Sequence, residues 1–192
     1  MWYVFSCLHS RVLTLSRRNV VTKQSAFNPH SILPFLPTGV TVLDTLVRDN
    51  GVAVLQLSSG VFLAYNASMS CWTRVVEPWW STGSDAVDRR RSGVQARGPV
   101  SELEGRMAST APTPEVTIDT GNKWWSAATT LGHLETRIHA AQVLESGLEW
   151  KNSVLQYAKR LADEGFLAKA EELAKELCGP LYWYAPLHIG GQ

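Results

Sequence analysis

Apolar positions recur at two different periods along the 192-residue chain, and the change of period divides it. Over residues 129–182 the period is that of a helix. Leu131, Leu134, Ile138 and Ala141 stand three and four apart, which gathers them on one face at 3.6 residues per turn. Trp150, Val154, Tyr157 or Ala158, and Leu161 repeat the pattern, as do Leu167, Ala170, Leu173, Ala174 and Leu177. The breaks carry their own signals. Ser146 and Glu149 have capping-box spacing, which predicts a second helix starting near Leu148. Gly165 stands where a left-handed residue ends a helix, and Gly179-Pro180 stops the third. Glu171 and Lys175 form an i,i+4 pair on that third helix. Joints this short predict antiparallel or angled neighbours around a shared core.

Before residue 77 the apolar positions fall in short β-favouring runs instead: Val40, Val42 and Leu43, then 52–57, 61–65 and 71–76. Asp49-Asn50-Gly51, Ser58-Ser59-Gly60 and Asn66-Ala67-Ser68 separate them with good turn chemistry. Strand and turn repeat about every ten residues, a spacing shared by a meander, a sandwich and a propeller blade. Upstream, Pro29, Pro34 and Pro37 bar a central strand or a continuous helix.

From Ser81 the periodicity fades for some thirty-five residues, and the stretch reads as a linker. Arg89, Arg90 and Arg91, with Arg97 nearby, are the basic cluster of the chain. A solvated arginine run is the expectation; contact with phosphates, histone tails or an import receptor is the alternative. Trp79-Trp80 and Trp124-Trp125 flank the linker. They are expected to close the core at its two ends, the alternative being a subunit interface, where Trp is enriched among hot spots. Trp150, Tyr157 and Phe166 are expected to be buried organisers of the helices.

Composition excludes several function classes. A net charge of +1, with 45% hydrophobic and 18% charged residues, is that of an ordinary globular chain and not of a nucleic-acid binder by bulk charge. No apolar run approaches the ~20 residues that span a bilayer. Cys7, Cys71 and Cys178 are odd in number and lack metal-ligand spacing, which fits a reducing compartment. His133 and His139 do not share a helix face and make poor metal partners, and His9, His30 and His188 are isolated. Neither a nucleophile elbow nor a phosphate-binding glycine motif is present, so no catalytic constellation and no cofactor are expected. The first 43 residues carry Arg11, Arg17, Arg18 and Lys23 but no acid, as a mitochondrial transit segment does. Their apolar spacing suits short strands better than one amphipathic helix.

The helical region resembles a known family. Thr129-Thr130-Leu131, Leu134-Glu135, Ala140-Ala141, Leu144, Glu149, Tyr157-Ala158-Lys159, Leu161, Glu164-Gly165-Phe166, and Leu177 with Gly179-Pro180 are similar to the C-terminal Hira domain of HIRA-type histone chaperone subunits. Asn50-Gly51, Val54, Leu57-Ser58, Gly60, Tyr65-Asn66, Ser68, Ser70 and Trp72 resemble the strand segment that precedes those helices. The sequence departs from the family in reading Ser6-Cys7 where a Trp-Asp pair is expected, and Ser153 where the middle helix carries an aromatic. No WD-repeat propeller and no motif for the anti-silencing chaperone is visible, so a C-terminal fragment or truncated member is expected.

The expected architecture is α+β. A short-stranded antiparallel β region, propeller-blade-like or sandwich-like, occupies residues 1–80. A flexible linker covers 81–120, a three-helix bundle 121–185, and a tail 186–192. The resemblance implies a non-enzymatic scaffold in the nucleus, acting in replication-independent nucleosome assembly and transcriptional repression. It further implies self-association, docking to other subunits of a histone chaperone complex, and histones H3–H4 as indirect partners, with no small-molecule substrate and no membrane. A generic helical interaction module and a mitochondrial protein are the alternatives.

Overall fold

The computed structural model describes residues 2–7, 13–18, 30–31, 36–86, 98–110 and 123–178. Among the described residues seven strands come first: β1 (Trp2–Cys7), β2 (Leu13–Arg18), β3 (His30–Ser31), β4 (Val42–Val47), β5 (Ala53–Leu57), β6 (Phe62–Asn66) and β7 (Cys71–Val76). They form two antiparallel sheets, β1-β2-β3 and β4-β5-β6-β7, each in sequence order. Five helices follow: α1 (Pro78–Gly83), α2 (Pro99–Thr110), α3 (Lys123–Val143), α4 (Gly147–Asp163) and α5 (Leu167–Cys178).

The meander β4–β7 owes its register to its turns. The Arg48 and Leu57 N–H groups donate to Val52 and Val61 across two three-residue loops of the same design, each closed by a glycine N–H returning to the residue before the loop. Gly51 and Gly60 take φ of +86° and +82° in those loops, a region where a Cβ is costly. The third turn is built on Asn66, whose Oδ1 accepts the N–H groups of Ser68 and Met69.

Strands β5 and β6 show no alternation of buried and exposed positions, because both faces of the sheet are covered. On one face Val54, Phe62, Ala64, Val75 and Val76 pack with Val100, Leu103 and Met107 of α2 and with Ala140, Ala141 and Leu144 around the end of α3. On the other, Ala53, Leu55, Leu57, Leu63, Tyr65 and Trp72 form a second cluster, with Tyr65 and Trp72 in a T-shaped contact. A third cluster joins α3 to α4 through Leu131, Leu134, Tyr157 and Leu161. The first cluster is continuous from the strands to α3, so the sheet β4–β7 and the helices share a core.

The stretch expected to be a flexible linker is corrected here. Ser81 to Gly83 complete α1, and Pro99–Thr110 is a helix whose Val100, Leu103 and Met107 are buried at helical spacing. That stripe is only three residues long and flanked by polar sequence, too little to register as a period. Residues 87–97, with Arg89, Arg90 and Arg91, lie outside the described residues, as do 111–122, Gly179-Pro180 and the tail 186–192. Helix α3 begins at Lys123, within the helical region expected over 121–185 and six residues before the apolar period read from Thr129.

Gly105 sits in the middle of α2 with nothing within 4 Å of a Cβ built on it. Gly105→Ala is therefore expected to raise stability by about 0.5–1 kcal/mol, since alanine fixes less backbone entropy in a helix. A urea melt reads this directly, and a loss of stability would mean that the α2 backbone is not helical there.

Candidate protein-interaction surface

Helix α1 lies along α3 where α3 is small-sided. A Cβ at Gly132 would stand 2.7 Å from the Trp80 ring, and one at Gly83 would stand 3.1 Å from the Thr129 methyl. Trp80 fills that notch half-buried, and its indole N–H is buried without an acceptor. Trp79 stacks on it at 3.4 Å between ring centroids and donates to Glu77. Trp79 remains 46% exposed, and at the start of α3 Trp124 and Trp125 are 66% and 43% exposed. Three of the four rings expected to close the core thus face water, and Trp80 packs on α3 at Gly132. Pro78 starts α1, and consecutive helix residues point about 100° apart, so Trp79 and Trp80 cannot both face α3.

Of the three expected helix organisers, the structure buries one fully. Tyr157 is 6% exposed and donates its hydroxyl to Glu135. Lys169 reaches the same carboxylate at 2.5 Å and lies over the Tyr157 ring, so one residue from each of α3, α4 and α5 meets there. Burial raises the Glu135 pKa, and the bonds from Lys169 and Tyr157 outweigh it to leave the group below its ordinary value. The Lys169 ammonium is raised by its bond to Glu135, and the Tyr157 hydroxyl is raised by burial and by Glu135. Trp150 is partly buried against the shared core, its N–H lacking an acceptor. Phe166, which follows the left-handed Gly165 at the end of α4, is 40% exposed.

Helix α5 buries none of its residues. Ala170 and Leu173 rest against the α3–α4 cluster, whereas Leu167 and Leu177 are exposed. An open groove of about 500 Å³ runs along Gly165, Phe166, Leu167, Ala168, Lys169 and Glu172.

A largely part-buried polar chain that periodicity does not reveal links α2 to its neighbours. The Ser84 hydroxyl meets His133 Nδ1 at 2.9 Å, and His133 Nε2 meets Glu104 at 3.0 Å. Glu104 also accepts from Arg137 at 2.6 Å, and Arg137 donates to the Ser101 hydroxyl. Ser101 in turn donates to Glu149. A carboxylate only accepts, so Nε2 carries the hydrogen toward Glu104; Nδ1 accepts from Ser84 in the neutral ring and donates to it in the imidazolium. Serine, histidine and glutamate in this order resemble a hydrolytic relay, but Ser84 is 3% exposed and its oxygen also accepts the Ala86 N–H. The chain ties α1, α2, α3 and α4 together. Its sequence trace is the i,i+4 pair His133 and Arg137 opposite the i,i+3 pair Ser101 and Glu104.

Glu149 ends that chain, and it corrects the capping-box reading. Ser146 does not cap α4 through its side chain, and its N–H is already bonded to Ala141 O at 2.7 Å. Freed from that role, Glu149 accepts the N–H groups of Val100 and Ser101, each at 2.9 Å, and so caps α2. Gly98 precedes α2 and has no side chain to do this; a Cβ there would stand 2.4 Å from Glu149 Cδ. Burial of the Glu149 carboxyl raises its pKa, but the Ser101 and Val100 donors and the Ser146 hydroxyl more than offset this, leaving it lowered.

Among the described residues no cluster of three or more His, Cys, Asp or Glu is placed to hold a metal, and no helix is long and apolar enough to cross a membrane. What the geometry offers is exposed tryptophan and leucine on a rigid helical support. Residues 5–177 match the family described as Hira, TUP1-like enhancer of split. The chain belongs to the Hira family.

Similarity to individual Hira proteins runs over most of the chain. It is 30% identical to the protein HIR1 of Yarrowia lipolytica, over 84% of this chain and 18% of that protein. It is 29% identical to the protein HIRA of Homo sapiens, over 90% of this chain and 17% of that protein. The crystal structure of HIRA(644-1017) superposes with a TM-score of 0.64 at 28% identity, covering 93% of this chain and 54% of that one. The α+β architecture is thus that of a Hira C-terminal region. The chain spans under a fifth of the length of these two relatives. The Hira family is histone-chaperone-related, and no enzymatic family is indicated.

Proposed function

We propose that this Hira chain is a non-enzymatic docking module of a HIRA-like histone chaperone assembly in the nucleus. In this reading it joins other subunits of that assembly, reaches histones H3–H4 through them, and serves replication-independent nucleosome assembly and transcriptional repression. It also associates with further copies of itself. The observation that carries the reading is the Hira match over residues 5–177. The exposed Trp79, Trp124 and Trp125 support it, because tryptophan left half in water on a rigid helix is the residue type that anchors interfaces.

The test is a pull-down of the tagged 192-residue chain from nuclear extract with mass spectrometry, alongside light scattering of the purified chain. Histone chaperone subunits are expected among the captured proteins, and Trp124→Ala with Trp125→Ala is expected to weaken their recovery about tenfold or more. Recovery of none by a chain that circular dichroism shows to be folded would overturn the proposal.

A further inference from the structure

Helix α4 has a second apolar stripe on the side away from the core. Its inner face buries Glu149, Ser153, Val154, Tyr157 and Leu161. Its outer face carries Leu148 at 62% and Leu155 at 59% exposure, with exposed Ala162 one further heptad along. At 100° per residue these three fall within roughly 40° of one another. Lys151 and Lys159, both exposed, flank Leu155 at one helical turn on either side, roughly 12 Å apart along the axis.

No carboxylate among the described residues forms an ion pair with either lysine. Glu149 is turned inward onto α2. Glu145, just before α4, is bonded to Asn50. Glu164 pairs with Arg160. Asp163 stands at the C-terminal rim of the face. The outer face therefore presents two leucines framed by positive charge.

We propose that this face docks an acidic amphipathic helix from another protein, with apolar residues seven apart and Asp or Glu on their flanks. The apolar residues would cover Leu148 and Leu155, and the acids would sit opposite Lys151 and Lys159, giving the complementary potential that fixes register. A second copy of the chain is the poorer occupant. Pairing this face with itself about a two-fold axis sets lysine against lysine. A membrane is poorer still, since two leucines are a small apolar face for interfacial binding. The inference stands on this face alone and does not require a chromatin role.

The experiment is selection of the full chain against a display library of ~20-residue peptides, long enough for five helical turns. Selected peptides are then measured by fluorescence anisotropy. The expected result is enrichment of acidic residues around apolar positions three, four and seven apart. Binding of those peptides should weaken about tenfold or more with Leu155→Asp, and should weaken in ~1 M salt, where screening shortens to about 3 Å. The double variant Lys151→Glu with Lys159→Glu should lose the acidic peptides and gain their lysine-substituted counterparts. All changed residues are exposed, so melting curves should match the parent chain.

Selected peptides without acidic enrichment, or peptides indifferent to the charge reversal, would overturn the proposal, as would no selection above a no-protein control. Dissociation of a parent oligomer by Leu155→Asp would assign the face to a second copy. Loss of binding to anionic vesicles by the same variant, without acidic peptides being selected, would assign it to lipid. Both of those outcomes also overturn the proposal. Each leaves the nuclear pull-down result untouched, so the two readings fail separately.

Discussion

Leu161→Ala is expected to destabilise the chain by about 2–5 kcal/mol, the range for deleting a fully buried leucine whose surroundings relax only in part. Leu161 is 0% exposed and shares its cluster with Leu131, Leu134 and Tyr157, so the cavity would open where α3 and α4 meet. Leu134, at 2% exposure, faces it and should behave alike. Leu155→Ala on the outer face of the same helix supplies the contrast. At 59% exposure it should change stability by no more than about 0.5 kcal/mol. Urea melts of the three variants decide the matter, and equal losses at Leu161 and Leu155 would show α4 to be rotated from its described orientation.

Glu149→Ala is expected to cost about 3 kcal/mol, because two N–H groups at the buried start of α2 lose their acceptor and the helix loses its cap. Gly98→Ala should act through the same bonds by pushing the carboxylate away, so the double variant should lose little more than Glu149→Ala alone. Additive losses would mean that Gly98 matters for some other reason. The pH dependence has a definite sign. The Glu149 pKa is lowered in the folded chain from the ordinary 4.5, so its ionised form is the one that folding favours. Its contribution is complete above that value and is lost as pH falls through the lowered folded value. Glu135, also lowered, contributes in the same direction. Stability should therefore decline below about pH 4.5, and Glu149→Ala should show a shallower decline.

Where a residue's partner is near in sequence, its role was legible. The glycines of the hairpins, Gly165 at the end of α4 and the Glu171–Lys175 pair all sit where local spacing places them. The apolar stripe of α4 is likewise buried at Val154, Tyr157 and Leu161. Residues whose partners are distant were misread. Glu149 has the spacing to accept the Ser146 N–H, but the backbone N–H groups it accepts are those of Val100 and Ser101, nearly fifty residues upstream. Helix α2 was missed for the same reason, since its cap is supplied by α4 and its stripe is brief. Leu167, Ala170, Leu173, Ala174 and Leu177 carry a helical pattern, of which only Ala170 and Leu173 are packed. Periodicity reports which residues share a face; it does not report whether a neighbour covers that face. The tryptophan pairs show the same limit, since size argues for burial while position in the first turn of a helix leaves Trp79, Trp124 and Trp125 exposed.

The cap that Glu149 provides sets an order of events during synthesis. Helix α2 is twelve residues long with a glycine near its centre, too short and too weak to persist alone in water. Its first N–H groups have no acceptor of their own until α4 has left the ribosome and turned back. The sheet β4–β7 thus emerges with one apolar face uncovered, and it stays so for the time needed to add some seventy further residues. A nascent chain at that stage exposes Phe62 and Val75, which is the surface that holdase chaperones take up.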